Sequence, residues 1–158
     1  MTEGPIIAVG VDETESSRRA LAWAAREAVR RGGTLHVITA WNWDPTDGTP
    51  LSSADPQSLF SAAEQTQREA IAEIVDPMPD RPPVTREVAR CTPAEALAGA
   101  SEQAALVVVG THGRGPVRAF LLGSVSLSVI KRSTCPVVVV PPEAPPSTSH
   151  ATPLTASY

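Results

Sequence analysis

The sequence predicts a doubly wound α/β domain built on a five-stranded parallel sheet, and three observations lead there. Short, nearly continuous apolar runs rich in β-branched residues alternate with longer segments of helical periodicity. The runs lack the polar alternation of a sheet with one wet face, as expected of strands covered on both sides. Glycine, proline or a helix-capping residue stands at nearly every junction between segments. Right-handed crossovers then favour strand order 3-2-1-4-5 with helices on both faces.

The elements follow in order. Pro5 to Val11 (PIIAVGV) reads as a buried strand ended by Asp12-Glu13-Thr14. Leu21, Ala24, Ala25 and Ala28 then recur at i, i+3, i+4 and i+7, while Arg30 and Arg31 complement the dipole at a helix end closed by Gly32-Gly33. Thr34 to Trp41 is the second strand. Residues 42–57 hold Pro45, Asp47, Gly48, Pro50 and Pro56 and read as a loop. A second helix is expected over about 58–76, with Leu59, Ala63, Thr66, Ala70 and Ile74 on its inner face. Val84 to Ala89 is a shorter strand and, unlike the others, an alternating one. Thr92-Pro93-Ala94-Glu95 is a capping-box start for a third helix that is expected to reach about Gln103. Ala105 to Gly110 is the fourth strand, Ser124 to Arg132 the last helix and Pro136 to Val140 the fifth strand.

With 158 residues the chain suits one compact domain, assigned here to residues 1–140. Sixteen prolines are about twice the usual share of roughly 5%, but they fall at element starts, in connections and in the tail. Residues 141–158 are rich in Pro, Ser, Thr and Ala and hold too little apolar bulk to order themselves, so a disordered tail is expected. A net charge of -4 and a pI near 5.3 argue against a nucleic-acid or anionic-membrane partner. No apolar stretch is long enough for a membrane span and no signal peptide fits before Pro5, so a cytosolic protein is expected. Cys91 and Cys135 form no disulfide framework, and each reads as a small buried hydrophobe. His36, His112 and His150 are too scattered for a metal triad.

The predicted topology places a ligand beyond the carboxyl ends of the first and fourth strands, where the strand order reverses. Asp12 to Ser16 and Gly110 to Ser124 meet there. Gly110, Gly113, Gly115 and Gly123 are four of the ten glycines, all in one connection longer than an ordinary βα loop. Such a loop can bring backbone N–H groups close to an anion. Gly123-Ser124 opens a helix whose first N–H groups, on Ser124, Val125 and Ser126, point at the same place, and phosphate is the natural guest. A Walker phosphate loop, a dinucleotide G-x-G-x-x-G after the first strand and a G-x-S-x-G nucleophile elbow are all absent. Arg114 and Arg118 are candidates for a phosphate clamp or for plain solvent exposure.

Gly110-Thr111-His112-Gly113, nine further residues and then Gly123-Ser124 resemble the G-x-x-G-x(9)-G-[ST] motif of ATP-binding universal stress proteins. Val9-Gly10-Val11-Asp12, Thr92 to Leu97, Val107 to Gly110, Leu122 to Ser126 and Cys135 to Val140 extend the resemblance over about residues 5–140. It implies the adenine nucleotide alpha hydrolase-like fold and a bound adenine nucleotide, ATP with or without Mg²⁺. Asp12 and Ala40 would meet the adenosine end through backbone groups, while Gly110, Gly113, Gly123, Ser124, Val125 and Ser126 would surround ribose and phosphates. It also implies a homodimer through the Pro136–Val140 strand, an apolar edge that would otherwise be left open. Cys91 departs from the pattern, standing where many relatives carry glycine.

The expected function is a nucleotide-dependent regulatory module of the stress response. Two alternatives stand beside it. One is a slow ATP hydrolase, for which Asp12 and Glu13 with Ser124 could bind Mg²⁺ and Arg114 or Arg118 could serve the phosphate. The other is a nucleotide-free dimeric interaction protein. No catalytic constellation is apparent in the sequence.

Overall fold

The structure is a computed structural model, and it describes residues 3–42, 55–111 and 122–142. The expected loop around 43–54, the glycine connection over 112–121 and the tail from 143 lie outside the described residues. The elements run β1 (Ile6–Gly10), α1 (Glu15–Arg31), β2 (Thr34–Trp41), α2 (Pro56–Ile74), β3 (Val84–Arg90), α3 (Pro93–Ala100), β4 (Leu106–Gly110), α4 (Ser124–Arg132) and β5 (Val137–Val140). The strands form one sheet in the order β3-β2-β1-β4-β5, with every pair parallel.

Strand alternation divides the apolar residues between two cores. Ile7, Val9, Leu35, Val37, Leu106 and Val108 face α1 and α2, and Leu21, Ala24, Ala25 and Ala28 close that side. Ala8, Ile38, Val107 and Val109 face α3 and α4, where Leu97 and Val129 are buried with them. The alanine stripe lets α1 lie close to the sheet. Gly32 ends this helix at φ 61°, the left-handed conformation that glycine adopts without a Cβ clash, and its N–H reaches the Ala28 and Val29 carbonyls.

Two helices differ from their sequence reading. α2 starts at Pro56 rather than near 58, because the Asp55 carboxylate accepts from the Ser58 N–H at 2.7 Å and Pro56 occupies the first helical turn. Its largest fully buried residue is polar. Gln67 is fully enclosed, with its amide nitrogen donating to the Val37 and Glu87 carbonyls at 3.1 and 2.8 Å while Arg86 Nε donates to its oxygen at 3.0 Å. An apolar-periodicity argument has no means of finding such an anchor. α3 ends at Ala100 instead of near Gln103, where Ser101 Oγ turns back to the Ala98 carbonyl at 2.5 Å and accepts from Thr134 N–H at 3.0 Å.

Candidate functional site

β1 and β4 are neighbours in the sheet, yet the helices that follow them pack on opposite faces, so a cleft opens between their carboxyl ends. It holds about 620 Å³ of space when the open solvent at its mouth is included. Of the residues singled out from the sequence, Asp12, Ala40, Gly110, Gly123, Val125 and Ser126 all line it. Ser124 is exposed at the first position of α4. Gly113, with His112, Arg114 and Arg118, lies outside the described residues.

Asp12 is held from several sides. Its N–H donates to Ser17 Oγ at 3.1 Å, and one carboxylate oxygen accepts from the Thr14 N–H and hydroxyl at 2.8 and 2.5 Å. Thr14 in turn caps α1 by accepting from Ser17 N–H at 3.3 Å. This web shapes the turn out of β1 and uses much of the local hydrogen-bonding capacity within the chain.

The other helix at the cleft starts differently. Gly123 is the N-cap of α4 and offers no side chain to its first turn. Its N–H donates to the Thr111 carbonyl at 2.7 Å, which ties the helix start to the end of β4. Ser126 is buried, and its hydroxyl donates back to the Gly123 carbonyl at 2.9 Å. The positive end of the α4 dipole therefore borders the cleft without a side-chain cap, an arrangement that suits anionic oxygens.

Gly110 has a packing role that sequence reasoning missed. A Cβ there would lie 2.2 Å from Ser16 Oγ and 2.8 Å from the Ser16 backbone, so its absence lets α1 pass over the end of β4. Sequence reasoning also missed Ser17, Pro93 and Leu97 in the cleft wall. Pro93 and Leu97 could have been found, because a helix beginning at Thr92 on that face puts its first turn over the strand ends. Thr111 stood inside the glycine motif without being weighed as a side chain.

Near the cleft, burial first and then the charges of Glu95 and Glu87 push the Cys91 thiol above its ordinary value, which disfavours the thiolate. Thr92 and Glu95 form the reciprocal capping box read from the sequence, with bonds of 3.3 and 3.0 Å. The Thr92 backbone N–H holds the Glu95 carboxyl below its usual range. Among the described residues no group of three His, Cys, Asp or Glu side chains is arranged to hold a metal, and no helix is long and apolar enough to cross a membrane.

A family model described as the universal stress protein family matches residues 5–141. The chain belongs to the universal stress protein family. A universal stress protein of Mycobacterium tuberculosis is 38% identical over 133 residues, which cover 84% of this chain and 44% of the relative. The chain thus spans about half the length of the curated relatives it matches.

Solved members of the family share the architecture. The UspA protein of Lactobacillus plantarum superposes with a TM-score of 0.68 at 18% identity, covering 89% of this chain and 99% of that one. A universal stress protein described in complex with cAMP gives 0.56 at 24% identity, covering 88% and 98%. One from Archaeoglobus fulgidus in complex with dAMP gives 0.51 at 22% identity, with the same coverage.

Proposed function

We propose that this chain is a cytosolic regulatory module of the stress response that binds ATP in the β1–β4 cleft and works as a homodimer. The observation that carries the reading is the open start of α4, where Gly123 provides no cap and the helix dipole borders the cleft at the carboxyl ends of β1 and β4. The cAMP and dAMP complexes of two structural neighbours support an adenine nucleotide as the class of ligand.

In this reading Asp12 and Ala40 contact the adenosine end through backbone groups. Gly110, Gly113, Gly123, Ser124, Val125 and Ser126 surround ribose and phosphates, with any Mg²⁺ carried on the phosphates. Residues 1–140 form the binding domain and 141–158 a tail. Binding energy at the α4 start would shift the balance between surface conformations, which is how a module without catalytic groups can signal.

The edge strand supports self-association. β5 pairs with β4 on one side, and all four of its valines are only partly buried. α4 packs beside it and leaves Leu127 and Ile130 exposed. An apolar edge of this kind is normally covered, and a two-fold axis covers it with its own copy.

Mass spectrometry of the protein purified without added nucleotide, followed by equilibrium dialysis against millimolar ATP, tests the ligand. Retention of an adenine nucleotide is expected; no uptake at that concentration would end the reading. Sedimentation equilibrium should give twice the chain mass, and a monomer at all concentrations would remove the dimer.

A further inference from the structure

Thr111 follows Gly110 at the end of β4 and lines the cleft. It is 9% exposed, and its hydroxyl oxygen is buried with no hydrogen-bond partner among the described residues. Its carbonyl is already taken by the Gly123 N–H. The other hydroxyls on the cleft wall are engaged. Ser17 Oγ lies 3.0 Å from the carbonyls of both Asp12 and Thr14, and Ser126 Oγ donates to the Gly123 carbonyl.

Strand alternation indicates the side on which this hydroxyl sits. Val107 and Val109 belong to the α3/α4 core, and Thr111 continues their phase, whereas the missing Cβ of Gly110 faces Ser16 of α1. Thr111 is therefore directed to the α4 side of the sheet, where the helix start borders the cleft. A buried hydroxyl without a partner destabilises the chain that carries it, while valine would fill the same volume without that cost. One staggered rotation of the side chain would exchange hydroxyl and methyl and turn the donor from its buried position toward the cleft.

We propose that Thr111 is a ligand-binding residue whose hydroxyl donates a hydrogen bond to a sugar or phosphate oxygen of the adenine nucleotide in the cleft. The proposal rests on the nucleotide reading above. It adds a side-chain donor from the end of β4 to that site, and it explains why a threonine stands at this position.

Isothermal titration of the full chain with ATP and with adenosine tests it, using Thr111→Val, Thr111→Ala and Thr111→Ser beside the wild type. Loss of a hydrogen bond to a ligand should weaken ATP binding by about tenfold in the valine and alanine variants, while serine stays within about threefold. An equal loss with adenosine assigns the sugar oxygen, and a loss confined to ATP assigns a phosphate oxygen. Ligand-free Thr111→Val should melt at or above the wild-type temperature, because it removes the unpaired hydroxyl. Valine and alanine variants that bind ATP as the wild type does, or a serine variant as weak as they are, would overturn the proposal and leave the nucleotide reading intact. Absence of ATP binding by the wild type would overturn both.

Discussion

Two helices begin side by side at the carboxyl edge of the sheet, and they begin in opposite ways. α1 starts in a closed web, with Thr14 capping Ser17, Ser17 bonded to Asp12 and Asp12 bonded to Thr14. α4 starts at Gly123 with no side-chain cap. The first turn of α1 is satisfied by its own sequence, so it contributes stability and a fixed wall. The first turn of α4 has no such cap, and in the proposed function it is the part that receives the ligand. The proposed function thus separates holding from receiving within one cleft, and Gly110 lets α1 approach the end of β4 by leaving room for Ser16.

The comparison breaks most completely at Gly110. A valine there would drive its side chain into the α1 backbone, and a cost of about 3 kcal/mol or more is expected from overpacking, read as a lower denaturant midpoint with or without nucleotide. Gly123→Val should separate the two properties. Its backbone at φ −68° and ψ 163° is open to any residue, so the fold should persist by circular dichroism while ATP affinity falls by about a hundredfold, or about 2.7 kcal/mol. A loss of fold instead would show that α4 is closed and structural like α1.

Thr14→Ala removes the α1 cap and should cost about 1 kcal/mol of stability, with ATP affinity changed by less than about threefold. A large loss of affinity would mean that the α1 start receives ligand as well. The smallest effect is in acid. Asp55 is held below the ordinary aspartate range chiefly by the Ser58 N–H, and Glu95 below the ordinary glutamate range by the Thr92 N–H. Each depressed carboxyl contributes stability that is full above its unfolded pKa and is lost as pH falls through its folded one. The caps of α2 and α3 should therefore weaken only below about pH 4. Both groups are exposed, so the effect should be a shallow shift in midpoint that is absent in Asp55→Asn combined with Glu95→Gln.

Much of this was legible in the residues themselves. The apolar runs at Ile6–Gly10 and Leu106–Gly110 could only be strands of a covered sheet, and the capping box at Thr92 and Glu95 marked a helix start to the residue. Asp55-Pro56 is an equally plain signal for α2, obscured because it stands among the other prolines of the 42–57 segment. Gln67 was not legible, since its burial depends on two backbone carbonyls, the Thr39 hydroxyl and the Arg86 guanidinium, contributed by two strands. The role of Gly110 was legible only in part: its place in a motif suggested a ligand, while its contact with Ser16 depends on how closely α1 approaches β4.

By itself the sequence determined the element order, the parallel sheet, its 3-2-1-4-5 arrangement and the end of the sheet where a ligand would lie. Those follow from periodicities and capping preferences that act over a few neighbouring residues, together with the single handedness of the crossovers. Only the tertiary structure decided that Ser17, Leu97 and Thr111 share one cleft, that Thr14 caps α1 while Gly123 leaves α4 without a side-chain cap, and that Thr111 has a buried hydroxyl with no partner among the described residues. These depend on distances between residues far apart in the chain, set by how closely each helix can approach the sheet, and no local pattern contains them.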